Sequence, residues 1–597
     1  MPFSVHLYSC RKPLRQKVKK TQSHSAIQAE ANSIQPVGKR LAYSDWSKEQ
    51  LISEVARLRK RKKYGLVWEE KPEDVVERCK TELPVLKEMA GKAIAKDADA
   101  PTNVLIEGDN YHALSVLNYT HKGKIDLIYI DPPYNTGARD WKYNNDYIDI
   151  NDGYRHSKWL SMMQARLLLA KNLLKRQGVL VCTIDHNEQE RLGLLLEEIF
   201  PSKKITCVTI VHNPAGVQGD NFSYTHEYAY FVYPSEGRSI GYQVREEGDE
   251  DVRNFRDVTG SESLRTAAAN CFYPILVKDG KIIGFGDVSD DDFHPKAINI
   301  KRKDGVIEIY PVDPQGVERK WRFARQTVES VVGELTVKHI RARDVYDIVR
   351  TKNWFNYKTV WTDSKYSANN HGTQLLNKII KPGSFSYPKS LHAVIDCLAA
   401  ASNGKKDFLA LDFFAGSGTT GHAVLALNKE DGGNRRFILC TNNENNIASD
   451  VCYPRIAKVI KGYKKANGET VEGLGGNFRY FKTTFVGAEP NDKNKESLTR
   501  QATEMLCLRE DTFEPVKATN KMQIFKHGTH YTGIVFDESA IPALKKDIAK
   551  MGGVWSVYVF SLGDDTFDEE FAEMEQTITV SPIPEVILRV YRRLFQH

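Results

Sequence analysis

Four consecutive residues combine an acid, two rigid residues and an aromatic ring: Asp131, Pro132, Pro133 and Tyr134. The preceding stretch, 125–130, is almost entirely apolar and is predicted to be a buried strand. Ligands of open α/β sheets bind at the carboxyl ends of such strands. Proline fixes its backbone angle and donates no N–H, so this loop presents carbonyl acceptors in a preset geometry beside the carboxylate. Such a loop suits a flat base that carries an amine.

The chemistry expected of this loop is methylation of the exocyclic amine of adenine. The lone pair of that amine is delocalised into the ring, so the amine is a poor nucleophile until acceptors engage its protons. Asp131 and the Pro132 carbonyl supply two acceptors, and Tyr134 would stack on a base that has left the duplex. In-line transfer then depends on alignment, without a metal or a covalent intermediate. The alternative, a simple surface turn, is disfavoured by the buried strand before it.

A glycine-rich loop, DFFAGSGTT at 412–420, follows a second apolar stretch at 408–411. Glycines let a ligand approach the backbone closely. The loop lacks the full GxGxxG dinucleotide pattern and the lysine of a P-loop, which favours a cofactor without a phosphate chain, such as S-adenosylmethionine. The alternative is a tight turn that binds nothing. The residues predicted here to bind the cofactor are Asp412, Phe414, Ala415, Gly416, Ser417, Gly418 and Thr419.

The elements that must position both loops are short apolar strands, such as 125–130 and 178–184, that alternate with helical stretches. This alternation predicts an α/β fold with a parallel sheet covered on both faces. It lapses between 239 and 359, where two Asp-Gly turns divide hairpin-like strands. It resumes from 408 to 485. The sequence therefore predicts an antiparallel module inserted into an α/β domain.

The DPPY tetrapeptide together with FAGSG resembles the amino-group DNA methyltransferases, and DPPY ahead of the glycine-rich loop is similar to the beta group of that family. The resemblance implies a Rossmann-like S-adenosylmethionine-dependent methyltransferase sheet with a target recognition domain inserted between the loops. Further stretches resemble Mod subunits of type III restriction-modification systems, namely 105–110, 156–159, 185–188, 226–228, 385–390, 443–446 and 454–456.

The same resemblance implies roles for residues near the cofactor. Those that would wrap its amino-acid end are Phe414, Gly416 and Gly418, and those of the motif beside it are Phe385, Pro388 and Lys389. Glu444 is the candidate acid for the ribose hydroxyls. The family's acid usually lies nearer the end of the preceding strand, where this chain has Thr441, Asn442 and Asn443.

Three other polar positions have competing interpretations. Asp109 either bonds the cofactor or substrate, or caps a helix within a Gly-Asp-Asn turn. His226-Glu227 precedes an apolar strand, and a structural role is favoured over a catalytic one. Asp185-His186 is interpreted in the same way, although the pair resembles an acid and a base.

The predicted organisation has seven parts. They are a basic arm (1–40), an N-terminal helical region (41–100), the catalytic part of the methyltransferase (101–238), the target recognition domain (239–360), the cofactor-binding part (361–485), a linker (486–502) and a small C-terminal α/β domain (503–597).

Basic and aromatic residues are interleaved in the predicted recognition domain. Such a mixture suits contacts to phosphates and base edges, with a solvated hairpin face as the alternative. The aromatic residues are Tyr310, Trp321 and Phe323, and the predicted DNA-binding residues are Lys301, Arg302, Lys303, Arg319, Lys320 and Arg322.

The bulk composition is consistent with a cytoplasmic, nucleoid-associated protein that binds double-stranded DNA. The net charge of +7 mildly favours a polyanionic partner. No stretch approaches the roughly 20 apolar residues of a membrane span, and no signal peptide is expected. The nine cysteines form no CxxC pair, so neither zinc nor a disulfide framework is predicted.

Two alternatives to an active adenine methyltransferase stay open. One is a recognition subunit that positions a separate nuclease and methylates little itself. The other is an N4-cytosine enzyme, although family members of that kind often have Ser where this chain has Asp131. The chain has no P-loop lysine and no obvious nuclease motif, so ATP-driven cleavage would belong to a separate restriction subunit. The resemblance also implies a homodimer.

Overall fold

The structure, a computed structural model, describes residues 47–49, 51–53, 68–95, 102–218, 221–244, 251–563 and 565–595. The basic arm predicted at 1–40 lies outside these residues. The chain divides into two units, 1–65 and 66–597. In the first, residues 48, 49 and 51–53 are helical. Everything below concerns the second unit.

A central sheet forms the framework of this unit. Its strands in chain order are β1 (Glu82–Glu88), β2 (Thr102–Glu107), β3 (Ile125–Ile130), β4 (Leu174–Ile184), β5 (Lys203–Val211), β6 (His226–Pro234), β7 (Val360–Trp361), β8 (Leu409–Asp412), β9 (Arg436–Thr441) and β10 (Asn477–Gly487). Their order across the sheet is β1-β10-β2-β9-β8-β3-β4-β6-β5-β7. From β10 to β4 all neighbours are parallel. The strand β6 runs antiparallel to both β4 and β5.

Helices cover both faces of this sheet, as the alternation of strands and helices predicts. In β3, Ile128 and Ile130 face one hydrophobic core and Leu127 and Tyr129 face the other, because successive side chains of a strand point to opposite faces. The first core includes helices α1 (Asn110–Thr120), α2 (Arg155–Leu173) and α3 (Gln189–Ile199), and the second includes α4 (Leu391–Ser402), α5 (Thr419–Asp431) and α6 (Tyr453–Lys461).

Antiparallel strands fill the stretch between β6 and β7. Tyr242–Val244 pairs with Trp354–Asn356. A three-stranded sheet contains Asp251–Asn254, Leu335–Ile340 and Val345–Lys352, and a four-stranded sheet contains Ile275–Lys278, Lys281–Phe285, Asn299–Lys301 and Ile307–Ile309.

The aromatic residues of this insertion correct one expectation. Trp321 is fully buried, stacks on Phe255 and donates its indole N–H to the Tyr273 carbonyl at 2.7 Å. Tyr310 is also buried, and Phe323 is half-buried. These rings form the core that a small module needs, so they are not free to read base edges.

Two regions differ from their predicted character. The region 41–100, predicted to be helical, contains the short helix Asp74–Arg78 but also β1, which pairs with β10 through apolar residues buried under later elements. The region 486–502, predicted to be a linker, contains the helix Asp492–Gln501. Most residues of this helix are charged or polar, but Leu498 is apolar and is buried in the first core.

A separate five-stranded sheet follows the central sheet in the chain. Its strands are Glu514–Ala518, Met522–His527, His530–Val535, Val554–Phe560 and Thr577–Ile583, with the helix Ile541–Met551 between the third and fourth. The terminal helix, Glu585–Phe595, buries Ile587, Leu588 and Tyr591 in the first core, and the Tyr591 hydroxyl donates a hydrogen bond to the Pro84 carbonyl of β1. Across the described residues, no helix is long and apolar enough to cross a membrane.

Candidate active site

The two loops singled out by sequence meet at one edge of the central sheet. The strands β3 and β8 are parallel neighbours, with Leu127 opposite Ala410. Asp131 follows the last residue of β3, and Asp412 is the last residue of β8. Because parallel strands end at the same edge, the acceptor loop and the glycine-rich loop lie side by side.

The Asp131 carboxylate is held by one of its two oxygens. The Thr183 hydroxyl donates to Oδ1 at 2.7 Å, and the Lys389 ammonium lies 3.1 Å from the same atom. The side chain is 26% exposed. Within the described part of the chain, Oδ2 accepts no hydrogen bond, so this oxygen is available to a substrate.

A buried ion pair lies beside Asp131. The Lys389 ammonium is 2.5 Å from Oε2 of Glu227, and both side chains are largely buried. Tyr134 joins them, since its hydroxyl donates to the same Glu227 oxygen at 2.9 Å and also contacts the ammonium. The ammonium lies 4.5 Å from the centre of the Tyr134 ring. Glu227 and Lys389 thereby fix the orientation of the ring.

The charges in this cluster oppose one another. Burial raises the pKa of Asp131 above its ordinary value, and Lys389 acts against that rise. Burial is the largest single influence on Glu227 and acts to raise its pKa, but the Lys389 ammonium, His212 and the Tyr134 hydrogen bond together hold that pKa below its usual range. Lys389 remains charged because the two carboxylates raise its pKa despite its burial. One cation therefore balances two acids.

The two prolines differ in what their carbonyls do. The Pro133 carbonyl accepts a hydrogen bond from the Trp159 indole at 2.7 Å, which fastens the loop to α2. Among the described residues, the Pro132 carbonyl accepts none. Of the two carbonyls, Pro132 is therefore the acceptor left for a ligand, as the proposed chemistry of the loop requires.

Asn135 anchors the far end of the acceptor loop. It is fully buried and has a φ of 58°, a left-handed conformation that Asn tolerates better than most residues. Its amide donates to Glu188 at 2.5 Å and accepts from the Trp141 indole at 3.0 Å. Burial raises the pKa of Glu188 to about 7. The loop thus has a preset shape before any ligand binds.

Asp412, the last residue of β8, holds the glycine-rich loop through hydrogen bonds. This carboxylate accepts from the Phe414 backbone N–H at 2.9 Å and from the Thr420 hydroxyl at 2.6 Å, and burial raises its pKa to about 7. Gly416 and Gly418 have φ values of 47° and 79°. A Cβ atom on Gly416 would lie 3.2 Å from the Phe385 ring. The turn therefore needs glycine both for its backbone and for its closeness to Phe385.

Arg455 supports the same loop from α6. It is fully buried, and its guanidinium donates to the hydroxyls of Ser417 at 2.9 Å and Thr419 at 2.8 Å. Burial lowers the pKa of Arg455 to about 10. Ser417 and Thr419, predicted to bind the cofactor, thus have their hydroxyls engaged within the protein.

The remaining predicted cofactor residues lie around this edge in different settings. Phe385 and Phe414 are half-buried, Pro388 is buried, and Lys389 lies in the Asp131 cluster. Asp109 caps α1 by accepting from the Tyr111 N–H at 2.7 Å and pairs with Arg166 at 3.3 Å. The capping role raised for Asp109 is therefore present.

Glu444 lies at the surface after β9. Its side chain is 44% exposed and its carboxylate is 3.5 Å from the Lys142 ammonium. Glu107, the last residue of β2, is instead occupied by the Tyr480 hydroxyl and by Lys482 at 2.9 Å. Of these two acids, Glu444 is the one with a weakly engaged carboxylate.

Three of the predicted DNA-binding residues lie together on an exposed hairpin. They are Lys301, Arg302 and Lys303. Arg302 donates to the Glu308 carboxylate at 2.6 Å. In the part of the chain that the structure describes, Lys301 and Lys303 form no ion pair. Their charges are available to a polyanion.

The other three predicted DNA-binding residues are more engaged. Arg319 donates to Asp313 at 2.9 Å and to the Ser263 hydroxyl at 2.7 Å, which makes it a structural brace. Lys320 is half-buried. Arg322 is exposed and donates to a backbone carbonyl at 3.1 Å.

Glu227 is a residue of this site for which the sequence pattern favours a structural role over a catalytic one. The residue lies at the start of β6, and β6 is antiparallel to β4, so its first residues reach the edge where β4 ends. An acid immediately before an apolar strand was the available signal. Whether this acid reaches the site depends on the direction of the strand, and a local sequence pattern does not specify strand direction.

Curated relatives resemble this chain over much of its length. The type III restriction-modification enzyme EcoPI Mod subunit from Escherichia phage P1 is 32% identical over 389 residues, which cover 57% of this chain and 58% of that protein. The type III enzyme StyLTI Mod subunit from Salmonella typhimurium is 27% identical, with coverage of 64% and 60%. The chain thus spans under two thirds of either Mod subunit.

A shorter relative is matched almost throughout. The type II methyltransferase M.KpnI from Klebsiella pneumoniae is 28% identical over 393 residues, which cover 63% of this chain and 88% of that protein. The profile of a family described as DNA methylase matches residues 125–499. Since this match includes both loops of the site and more than half of the chain, the protein belongs to the DNA methylase family.

Proposed function

We propose that this protein transfers a methyl group from S-adenosylmethionine to the N6 amine of adenine in double-stranded DNA. The observation that carries the proposal is the pair of unoccupied acceptors, Asp131 Oδ2 and the Pro132 carbonyl, beside a ring whose orientation is fixed. An exocyclic amine has two protons, and two acceptors can engage both of them. Family membership supports DNA as the substrate.

The glycine-rich edge fits a cofactor of this kind. The turn at Gly416 closes against Phe385 so tightly that a Cβ would intrude, and Phe385 and Phe414 offer half-buried rings beside it. Glu444 would take the ribose hydroxyls, and Asp412 holds the turn. S-adenosylmethionine supplies an electrophilic methyl group when it is bound.

The chain's own residues contribute orientation and charge. Asp131 and the Pro132 carbonyl draw the amine protons and direct the lone pair towards the cofactor edge. Tyr134 would stack on the base with the ring that Glu227 and Lys389 hold at its hydroxyl. Thr183 and Lys389 hold Asp131 in place, so the acceptors are aligned before the base arrives.

Methyl transfer can be measured with isotope-labelled cofactor and unmethylated genomic DNA, followed by digestion to nucleosides. We expect label in N6-methyladenine alone, because Asp131 is an acidic acceptor. Label in N4-methylcytosine would overturn the choice of base. An absence of label would overturn the activity and favour a subunit that only recognises DNA.

The Asp131→Ala variant tests the mechanism in the same assay. It should lower transfer by at least about 100-fold, the scale at which positioned proton-accepting groups contribute, while cofactor affinity measured by calorimetry stays close to the original value. Asp131→Asn is the matched control, since it preserves size and one oxygen acceptor but removes the charge. Undiminished transfer by Asp131→Ala would contradict the mechanism.

We further propose that the protein is the modification and recognition subunit of a restriction-modification system and works as a homodimer with a separate restriction subunit. The resemblance to Mod subunits supports this assignment. The insertion between β6 and β7 is proposed as the target recognition domain, because it lies between the two loops in the chain and carries exposed cations.

A further inference from the structure

Two large hydrophobic side chains are far more exposed than a stable surface requires. Tyr387 is 91% exposed and Phe222 is 79% exposed, the highest values among the large hydrophobic residues that the structure describes. A ring left in water forgoes the stabilisation that burial of its apolar surface would provide. Exposure of this degree is informative when the residues also share a location.

Both residues lie next to the active site in the chain. Phe222 is in the connection that leads into Glu227, and Tyr387 comes two residues before Lys389. Glu227 and Lys389 form the ion pair that borders Asp131. The two exposed rings therefore belong to two different segments, each of which supplies one partner of the ion pair beside Asp131.

The segment containing Phe222 is held against the sheet. Its short strands, Val217–Gln218 and Ser223–Tyr224, pair with each other. The Tyr224 ring stacks on His186 with a centroid distance of 3.9 Å and an angle of 6°. Since His186 follows β4, this stack ties the ribbon to the edge of the sheet where the site lies.

The backbone at Tyr387 is strained. Its φ of 56° is a left-handed conformation that is unfavourable for a bulky residue. That conformation projects an aromatic ring into solvent directly before Pro388 and Lys389. Strain and full exposure together, beside a site, indicate that the ring has a partner in the working complex.

We propose that Phe222 and Tyr387 form an aromatic rim that stacks on the bases bordering the extruded adenine. The inference rests on the proposed function, because it assigns a DNA contact to the same site. Extruding a base costs stacking and pairing energy, and side chains inserted at the neighbouring base steps can offset part of that cost. The partner of the rim is duplex DNA at the target base.

The test uses the full-length protein and a duplex carrying its mapped methylation site. In Phe222→Ala and Tyr387→Ala, we expect kcat/KM on the fully paired duplex to fall by about 10-fold or more. On a duplex with an abasic site opposite the target adenine, where pairing is already lost, both variants should recover to within about threefold of the original protein. Leu168→Ala, which removes a 48% exposed side chain from α2, is the matched control.

A second readout follows extrusion directly. With 2-aminopurine at the target position, fluorescence should rise on binding of the original protein and of Leu168→Ala, and rise much less with the two rim variants. Equal kinetics for all proteins on the paired duplex would overturn the rim and leave Phe222 and Tyr387 as a contact for another protein. Equal losses on both duplexes would also overturn it, since a general binding defect is not relieved by unpairing.

Methylation by the wild-type protein distinguishes a failure of this inference from a failure of the proposed function. If the wild-type protein methylates DNA while the rim variants behave like it, the rim is wrong and the methyltransferase assignment stands. If it transfers no methyl group to any DNA, the proposed function fails and the rim fails with it.

Discussion

At the level of single residues, the site depends on one ammonium group shared between two carboxylates. Lys389 is closer to Glu227 than to Asp131, at 2.5 Å against 3.1 Å. The nearer acid holds the cation and Tyr134, while the farther acid keeps one oxygen for the substrate. The family resemblance assigned Lys389 to the cofactor motif, whereas its contacts here point to a role in positioning Asp131.

Lys389→Met should separate these two roles. Asp131 must be ionised to accept the amine protons, so activity falls as the pH drops through its pKa. Burial already raises that pKa and Lys389 opposes the rise, so removing the ammonium should move the acid limb of the kcat/KM profile to higher pH. We expect kcat to fall by about 10-fold or more, with little change in KM for S-adenosylmethionine.

The profile should be recorded between about pH 5 and 9 at constant ionic strength. Lys389→Arg, which restores a cation, should return the acid limb towards its original position. A raised KM for the cofactor with an unmoved acid limb would show instead that Lys389 acts on the cofactor.

At the level of elements, the sequence predicted those parts of the site that depend on local pattern. The apolar runs ending at Ile130 and Leu411 indicated β3 and β8, and both loops follow at the predicted edge. Glu227 was assigned to structure because its role depends on β6 running against its neighbour. Trp321 was misread for a similar reason, since a ring among basic residues looks the same in sequence whether it faces the core or the solvent.

The support of the glycine-rich loop by α6 gives a prediction at this scale. Arg455→Leu should leave the hydroxyls of Ser417 and Thr419 without their buried donor, at a cost of about 1–3 kcal/mol. Cofactor affinity measured by calorimetry should weaken by about 10-fold or more, and the melting temperature should fall. DNA affinity without cofactor should change little.

Arg455→Lys is the matched control for that variant. It keeps a buried cation but cannot reach both hydroxyls with the planar geometry of a guanidinium. We therefore expect an intermediate loss of cofactor affinity. Unchanged affinity in Arg455→Leu would mean that the turn keeps its shape without this brace.

At the level of the whole molecule, the insertion carries exposed cations, whereas the central sheet carries the candidate active site. Lys301 and Lys303 are exposed and form no ion pair within the described residues, whereas Arg319 forms an ion pair with Asp313. The six basic residues are therefore unequal, which their interleaved pattern in the sequence did not reveal.

Replacing Lys301 and Lys303 together with Ala should weaken binding to duplex DNA. The slope of log affinity against log salt should become shallower by about 2, because each lysine that is removed leaves one phosphate without its cation. Cofactor affinity should not change. The double variant Lys546→Ala with Lys550→Ala removes two exposed charges from the helix Ile541–Met551 and serves as the control. An equal effect in both double variants would contradict a specific role for the hairpin.

The adjacency of β3 and β8 has a consequence for folding during translation. The two strands are separated in the chain by the whole insertion, and a ribosome adding about 5–20 residues per second needs tens of seconds to pass from one to the other. During that interval the acceptor loop has been synthesised, but the glycine-rich turn that would hold the methyl donor has not. The strand β1 likewise lacks its neighbour β10. On the proposed function, we therefore expect fragments from interrupted translation that end before β8 to transfer no methyl group.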